Sequence, residues 1–448
     1  MVVGAAEVGP YRRILEAMED VAGRVGYSGA SVTRVSAAAG VSRVTFYRHF
    51  ANREECFTTC CREASGRFQR PLHAAAEASP KVGPWTVLAA LLREVEENPV
   101  RARLILLEAP GGPAGPRLEY ERFVDRIESL LRSLGEAGTA ATALHWVPPA
   151  VLLGGVIEIA SGSILGRRSG ELWSIADELG AWVDSYAVDA NLAPPDEQHW
   201  ARLGRRYAVG GGLRLPSLSG PATTGRRERL IEATAEVTAR AGYAGMRVSD
   251  IVAAARLQRR AFYSEFRDKR EAFRAAQILH LQRSIAVAAQ QFSLGGSWPE
   301  RVWRGLAGLY RYLKQHQDEA RLVLVEVLAA GEEEIRLGQD IRGAFTIFLE
   351  EGYRQRGERS LPAIFSDAIG GAIYGLLRQT LVRRSASRLP ELLPLSAYIA
   401  LAPFLGPREA LAFVELKSEG AAAGPRTGAS GLLALAGRGG TALPADQV

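Results

Sequence analysis

The sequence predicts an all-α protein made of two similar units in one chain of 448 residues. Three observations lead there. Apolar residues recur at helical i, i+3, i+4 spacing along most of the chain, and no stretch alternates convincingly as a strand. The stretch Ser31–Phe50, SVTRVSAAAGVSRVTFYRHF, reads as two short helices about a tight turn. A related stretch returns further along, with Tyr27 set against Tyr243, 216 positions apart.

Taken in order, Tyr11–Val25 places Ile14, Leu15, Met18, Val21, Ala22 and Val25 on one helical face, and Gly26 ends the helix. Ser31 can cap the next helix, whose Val32, Val35, Ala38 and Ala39 share a face. Gly40 breaks it where a left-handed residue costs least. A second short helix opens at Ser42 and carries Arg43, Val44, Thr45, Tyr47 and His49, a donor-rich surface suited to a DNA major groove. Asn52–Arg70 continues as a helix that Pro71 should interrupt. Beyond it, helices are expected over 85–97, 99–109, 117–134, 150–168 and 171–188, separated by Pro/Gly segments such as Pro110–Pro116.

The repeat is dense. Arg13, Gly26, Tyr27, Arg43, Phe46, Tyr47, Phe50 and Phe57 find the same residues at Arg229, Gly242, Tyr243, Arg259, Phe262, Tyr263, Phe266 and Phe273. It extends past the motif: Leu106 and Glu108 match Leu324 and Glu326, and Gly154-Gly155 matches Gly370-Gly371. A whole unit is duplicated. The expected organisation is a first head at 11–58, a first helical domain at 59–206 and a Gly/Ser/Pro-rich linker at 207–225. A second head at 226–274, a second helical domain at 275–417 and a low-complexity, disordered tail at 418–448 follow.

Composition bounds the partners. At 448 residues and 47% apolar, the chain suits two or more well-packed domains. A net charge of +6 is compatible with a polyanion without selecting one. Three cysteines and no signal peptide fit a cytoplasmic protein, and Pro148, Pro149 and Glu158 interrupt the one membrane-like stretch. Cys56, Cys60 and Cys61 fall on one helix without a partnered cluster, so packing outweighs a metal or redox role. The six histidines are scattered, with no metal-ligand spacing. Glu94, Glu108, Glu158 and Glu326 lie on apolar helices and read as ion-pair partners of residues such as Arg103 and Arg321, ahead of pocket roles. Trp146, Trp173, Trp303 and Tyr310 read as core. No P-loop, nucleophile elbow or dinucleotide fingerprint is present, so no enzyme, cofactor or metal is expected.

The run VSRVTFYRHFANREE at Val41–Glu55, following a helix and an AAAG turn, resembles the TetR/AcrR family of transcriptional regulators. The resemblance implies three-helix DNA-binding heads joined to larger helical domains that bind a small effector and dimerise. By the family's pattern, Tyr47 and His49 face phosphates while Arg43, Val44 and Thr45 sit where bases are read. Thr33, Ser42 and Arg53 complete the first candidate set, and Ser249, Gln258, Arg259, Arg260, Tyr263 and Lys269 form the second. The chemistry suits the transfer. Arg43 can donate twice to a guanine edge, and the methyl groups of Val44 and Thr45 can meet a thymine methyl. Hydroxyls and the His49 ring suit phosphate.

The second copy departs from the pattern: Gly40 is replaced by Arg256, Ser42 by Gln258, Thr45 by Ala261 and His49 by Glu265. The expectation is a double-stranded-DNA-binding repressor, released by a small molecule and acting as a single-chain pseudodimer. Its internal interface is expected on 150–188 and 363–405, with the two Gly-Gly steps allowing close approach. The alternative is a ligand-binding or interaction module that has lost specific DNA binding.

Overall fold

The computed structural model describes residues 9–78, 83–137, 143–167, 172–187, 195, 197–210, 225–356 and 361–422. Every regular element among them is helical. The expected linker and tail therefore fall largely outside the described residues.

Each head is three helices closed over a small aromatic core. The first comprises Pro10–Gly29, Val32–Ala38 and Arg43–His49, with Ile14, Met18, Val35, Phe46 and Phe57 fully buried. The second comprises Arg226–Gly245, Val248–Ala254 and Arg259–Tyr263, built on Leu230, Val237, Ile251, Phe262 and Phe273. Gly26 and Gly242 do not end their helices outright. Each adopts a positive φ, 77° and 71°, that kinks the chain and leaves a short helical extension.

The long connecting helices are Arg53–Glu77 and Lys269–Phe292. Both open on the same pair of capping hydrogen bonds. The Glu55 amide donates to Asn52 at 2.9 Å and the Ala51 amide to Glu55 at 2.6 Å, mirrored by Glu271 on Asp268 (2.9 Å) and Arg267 on Glu271 (2.7 Å). Pro71 does not interrupt the first of them, which runs on to Glu77. A proline's fixed φ is itself helical, so it removes one hydrogen bond, and Phe68 and Leu72 around it are fully buried in the core.

The remaining helices match the expected ones with shifted ends. Those at 85–97, 117–134 and 150–168 appear as Pro84–Glu97, Ala114–Ala137 and Pro149–Ile164. The helix expected over 171–188 is a 3₁₀ turn, Leu172–Ile175, leading into Ala176–Asp184. Helix 197–210 takes up the first residues of the expected linker, and Pro407–Ala422 takes up the start of the expected tail. In both halves the helix after the Asn98 and His316 bends contains one π turn, Leu104–Glu108 and Leu322–Glu326. No helix among the described residues is long and apolar enough to cross a membrane.

The two halves pack against each other along Pro149–Ile164 and Ile364–Arg383. A Cβ on Gly154 would stand 3.4 Å from the Ala372 Cα, and one on Gly155 would stand 2.8 Å from the Ala368 carbonyl oxygen. Gly371 faces Glu158 and Gly154 in the same way, whereas Gly370 meets nothing within 4 Å. Three of the four paired glycines thus set the helix separation. The rim is charged and nearly reciprocal. Arg167 bonds Asp340 at 2.9 Å, and Arg383, its counterpart in the repeat, bonds Asp125 at 2.6 Å. Arg103 reaches Glu332 at 2.6 Å. Helix Glu197–Gly210 lies on the last helices of the second half, with Trp200 5.0 Å from Tyr398. The Tyr186 hydroxyl donates to the Ile399 carbonyl at 3.0 Å.

Candidate nucleic-acid interface

The first head presents its candidate residues as a surface. Ser31 caps the second helix by accepting from the Arg34 amide at 3.2 Å, and Ser42 caps the third by accepting from the Thr45 amide at 3.0 Å. Gly40, at φ 61°, supplies the left-handed turn between them. With the helix so fixed, Phe46 and Phe50 point inward and are buried, while Val44 and Tyr47 are 69% and 48% exposed. Thr33, Ser42, Arg43 and His49 are exposed, and Thr45 is half-buried with its hydroxyl 2.9 Å from that of Ser42. His49 lies edge-on to Tyr11 at 6.0 Å.

The second head repeats the layout on weaker local chemistry. Arg247 stands at the first cap position and Gln258 at the second, and neither side chain makes a capping hydrogen bond. Arg256 keeps the left-handed turn at φ 53°, the one positive φ among described non-glycine residues. The third helix shortens accordingly, to Arg259–Tyr263. Ser249, Gln258, Arg259, Arg260 and Tyr263 are exposed. Ser249 turns to Asp250 at 3.3 Å, and Arg259 donates to the Tyr263 hydroxyl at 3.2 Å. Glu265 is half-buried, 4.0 Å from Arg227, so its charge is partly matched within the protein.

Arg53 and Lys269 are both engaged within their own heads. Arg53 lies 4.2 Å over the Tyr27 ring and donates to the Tyr27 carbonyl at 3.5 Å. Lys269 donates to the carbonyls of Tyr243, Ala244 and Met246 at 3.2, 3.4 and 3.2 Å. The cause is local: the kinks at Gly26 and Gly242 free carbonyls at the end of the first helix, and a cation from the connecting helix takes them.

The same kink joins head to body. In the first half the Tyr27 amide donates to Glu108 at 2.8 Å, and in the second the Tyr243 amide donates to Glu326 at 3.0 Å. Both carboxylates close a π turn, and both pair with the expected arginine, Arg103 at 3.6 Å and Arg321 at 3.4 Å. Burial pushes the Glu108 carboxyl above its ordinary value, against the Tyr27 hydrogen bond and Arg103. This anchor was visible only as two identical residues recurring in the repeat. Glu94 likewise pairs with Arg101 at 2.7 Å, and Glu158 with Arg342 across the halves at 2.9 Å.

Other constellations resolve as packing, with one exception. All three cysteines are buried, and desolvation raises Cys56 to about 12. Trp146, Trp303 and Tyr310 are core, whereas Trp173 is exposed beneath Arg93 at 4.6 Å. The histidines are less scattered than the sequence suggests. His280 and His316 both stand 3.0 Å from Glu319, and Glu232, His280 and Glu319 bring their ligand atoms within 4.8 Å of one another. Arg283 already bonds Glu232 at 2.6 Å. Burial would raise Glu319, but hydrogen bonds from His280, His316 and Tyr312 outweigh it and hold the carboxyl well below its usual range.

A family model described as bacterial regulatory proteins, tetR family, matches residues 14–60 and again 230–276. No curated protein sequence matches the chain. Among solved structures, it is similar to the fatty acid degradation regulator FadR from Bacillus halodurans, with 19% identity, a TM-score of 0.34, and coverage of 40% of this chain and 96% of that one. FadR from Bacillus subtilis, solved with stearoyl-CoA, shows 16% identity, a TM-score of 0.34 and coverage of 40% and 100%. A regulator from Marinobacter aquaeolei VT8 shows 18% identity, a TM-score of 0.32 and coverage of 44% and 94%. The family match falls on both heads at the spacing of the repeat, so the chain carries two tetR-family DNA-binding regions in tandem.

Proposed function

We propose that the protein is a sequence-specific repressor that reads DNA with two unlike heads supplied by one chain. The observation that carries this is the first recognition helix: Phe46 is buried while Arg43, Val44 and Tyr47 stand exposed on a capped, fixed scaffold. Arg43, Val44 and Thr45 read bases, and Thr33, Ser42, Tyr47 and His49 hold phosphates. In the second head Gln258, Arg259, Arg260 and Tyr263 take the same roles with a different base preference, because Thr45 and His49 have no counterpart there. Arg53 and Lys269 act as clamps on their own heads.

The reciprocal interface, with Arg167 on Asp340 and Arg383 on Asp125, supports pairing of the halves as a two-fold pseudodimer. Such pairing brings both heads to one operator without a second chain. A small effector acts through the connecting helices and the π turns. Ser284 and Ala288 of helix 269–292 and Val323 and Leu324 of the second π turn line one cavity, and Glu326 of that turn holds the Tyr243 amide. A shift of the π turn therefore re-aims the second head.

The test is a nuclease footprint of the intact chain on DNA upstream of its own gene, repeated with Arg43→Ala/Tyr47→Ala. Protection of two unlike half-sites about one helical turn apart, lost in the double variant, is expected. Undiminished protection in the double variant overturns the reading. So does a wild-type chain that protects nothing, which would favour a ligand-binding module with eroded heads.

A further inference from the structure

The two halves share a fold but not an interior. The second half carries an open-mouthed cavity of about 430 Å³ between its connecting helix, helix 298–315 and the segment 339–349. That size suits a small organic molecule. The corresponding space in the first half is filled. Phe68 is fully buried there and packs edge-to-face on Phe123 at 5.4 Å, with Leu72 and Val87 also fully buried. In the repeat these positions become Ser284, Ala288 and Gly305, all on the cavity wall. Two exchanges run the other way, Ser65 to Leu281 and Ala76 to Phe292, and these line the cavity without closing it.

The backbone differs at the same place. The first half has one continuous helix, Ala114–Ala137. Its counterpart is broken into Glu332–Gly343, a 3₁₀ turn Ala344–Leu349 and Glu350–Gln355, and the turn forms part of the wall. The first half has clefts near Pro148 and Pro99 and a small one of about 90 Å³ between Tyr120–Glu128 and the paired helices, and none of the three lies against its connecting helix.

Most polar groups on the wall are satisfied from within the protein; the exception is Gln339, whose side-chain oxygen is buried without a hydrogen-bond partner. Ser284 donates to the His280 carbonyl at 2.8 Å, and Tyr374 donates to the Leu324 carbonyl at 3.2 Å. Arg342 bonds Glu158 at 2.9 Å and lies 4.0 Å over the Tyr374 ring. What the cavity offers a guest is mainly apolar contact, chosen by size and shape, with the Gln339 side-chain oxygen as an acceptor. Glu158, Ile159, Gly162 and Arg167 of the first half complete one edge of the wall, and the rest comes from the second half.

We infer that each chain holds a single effector site, in its second half alone, and that it takes one predominantly apolar small molecule. The role as effector rests on the regulator reading; the site and its stoichiometry do not. The measurement is calorimetric titration of the full chain, without DNA, with the neutral apolar probe N-phenyl-1-naphthylamine. One molecule per chain is expected. Ser284→Phe, which installs the first half's residue, and the milder Ala288→Leu should each weaken binding by roughly tenfold or more, through overlap in a filled cavity. Their helical circular dichroism and melting should stay that of the parent. Two molecules per chain, no saturable binding, or unchanged affinity in a folded variant overturns the inference. A footprint intact while probe binding fails rejects the site alone, and specific probe binding without any footprint rejects the regulator alone.

Discussion

The duplicated chain carries its own control for what a helix-turn-helix needs, and that makes one prediction quantitative. The second head has lost the glycine of its turn and the serine cap of its third helix, at Arg256 and Gln258. A side chain at φ 53° strains the backbone by about 1–2 kcal/mol. Returning glycine there gives back about 0.5–1 kcal/mol of that through extra freedom in the unfolded chain, leaving a net gain of about 0.5–1. A serine at 258 regains a cap worth about 1 kcal/mol. Together Arg256→Gly and Gln258→Ser should stabilise the second head by about 1.5–2 kcal/mol, the additive sum of the two. Native-state hydrogen exchange reads this as slower exchange, by roughly tenfold to thirtyfold, at amides of the head core such as Phe262. Amides of the first head should not move. The reciprocal pair, Gly40→Arg and Ser42→Gln, should cost the first head a similar amount; an added Cβ at Gly40 meets only Arg13 Nη1, at 3.7 Å, so strain and capping are what is measured. Unchanged exchange at the second head in the repaired variant would refute the claim that its erosion is local.

Other parts of the fold are open to equally direct tests. Gly155→Leu drives a side chain into Trp182 and the Ala368 carbonyl and should destabilise the paired halves by about 3 kcal/mol or more, whereas Gly370→Ala, which meets nothing within 4 Å, should be near neutral; thermal unfolding compares them. Glu326→Gln weakens the acceptor of the Tyr243 amide and should speed exchange of that amide several-fold, and Glu108→Gln should do the same for Tyr27 in the first half. His316 is raised above the ordinary imidazole value of 6.5 by its hydrogen bond to Glu319, partly opposed by burial. Its contribution to stability is therefore complete below 6.5 and is lost as the pH rises through the folded value, so His316→Gln should flatten the pH dependence of melting on the alkaline side of 6.5.

Much of this was legible in the chain because helices advertise themselves locally. The 3.6 period placed Pro84–Glu97 and Pro149–Ile164 to within a residue or two at most ends, and Gly40 was readable because only a left-handed residue fits that turn. The Gly154-Gly155 step marked a close helix approach for the same reason: absence of a side chain is a sequence fact with one main structural use. What could not be read was decided by tertiary partners. Pro71 stays inside a helix because its neighbours are held in a packed core. Arg53 and Lys269 turn inward because kinks elsewhere, at Gly26 and Gly242, free carbonyls for them. His280 and His316 lie 36 residues apart in sequence and meet only at Glu319. The cavity depended on several exchanges at once, Phe68 to Ser284 among them, acting with a broken helix that apolar periodicity alone does not reveal.

The central claim is that one chain supplies both heads to one operator. The direct measurement is the mass of the protein–DNA complex by native mass spectrometry, on a duplex carrying the footprinted site. A single chain of 48.3 kDa per duplex, spanning two half-sites of different sequence, is expected. Two chains on a palindromic site, each engaged through its first head, would contradict it.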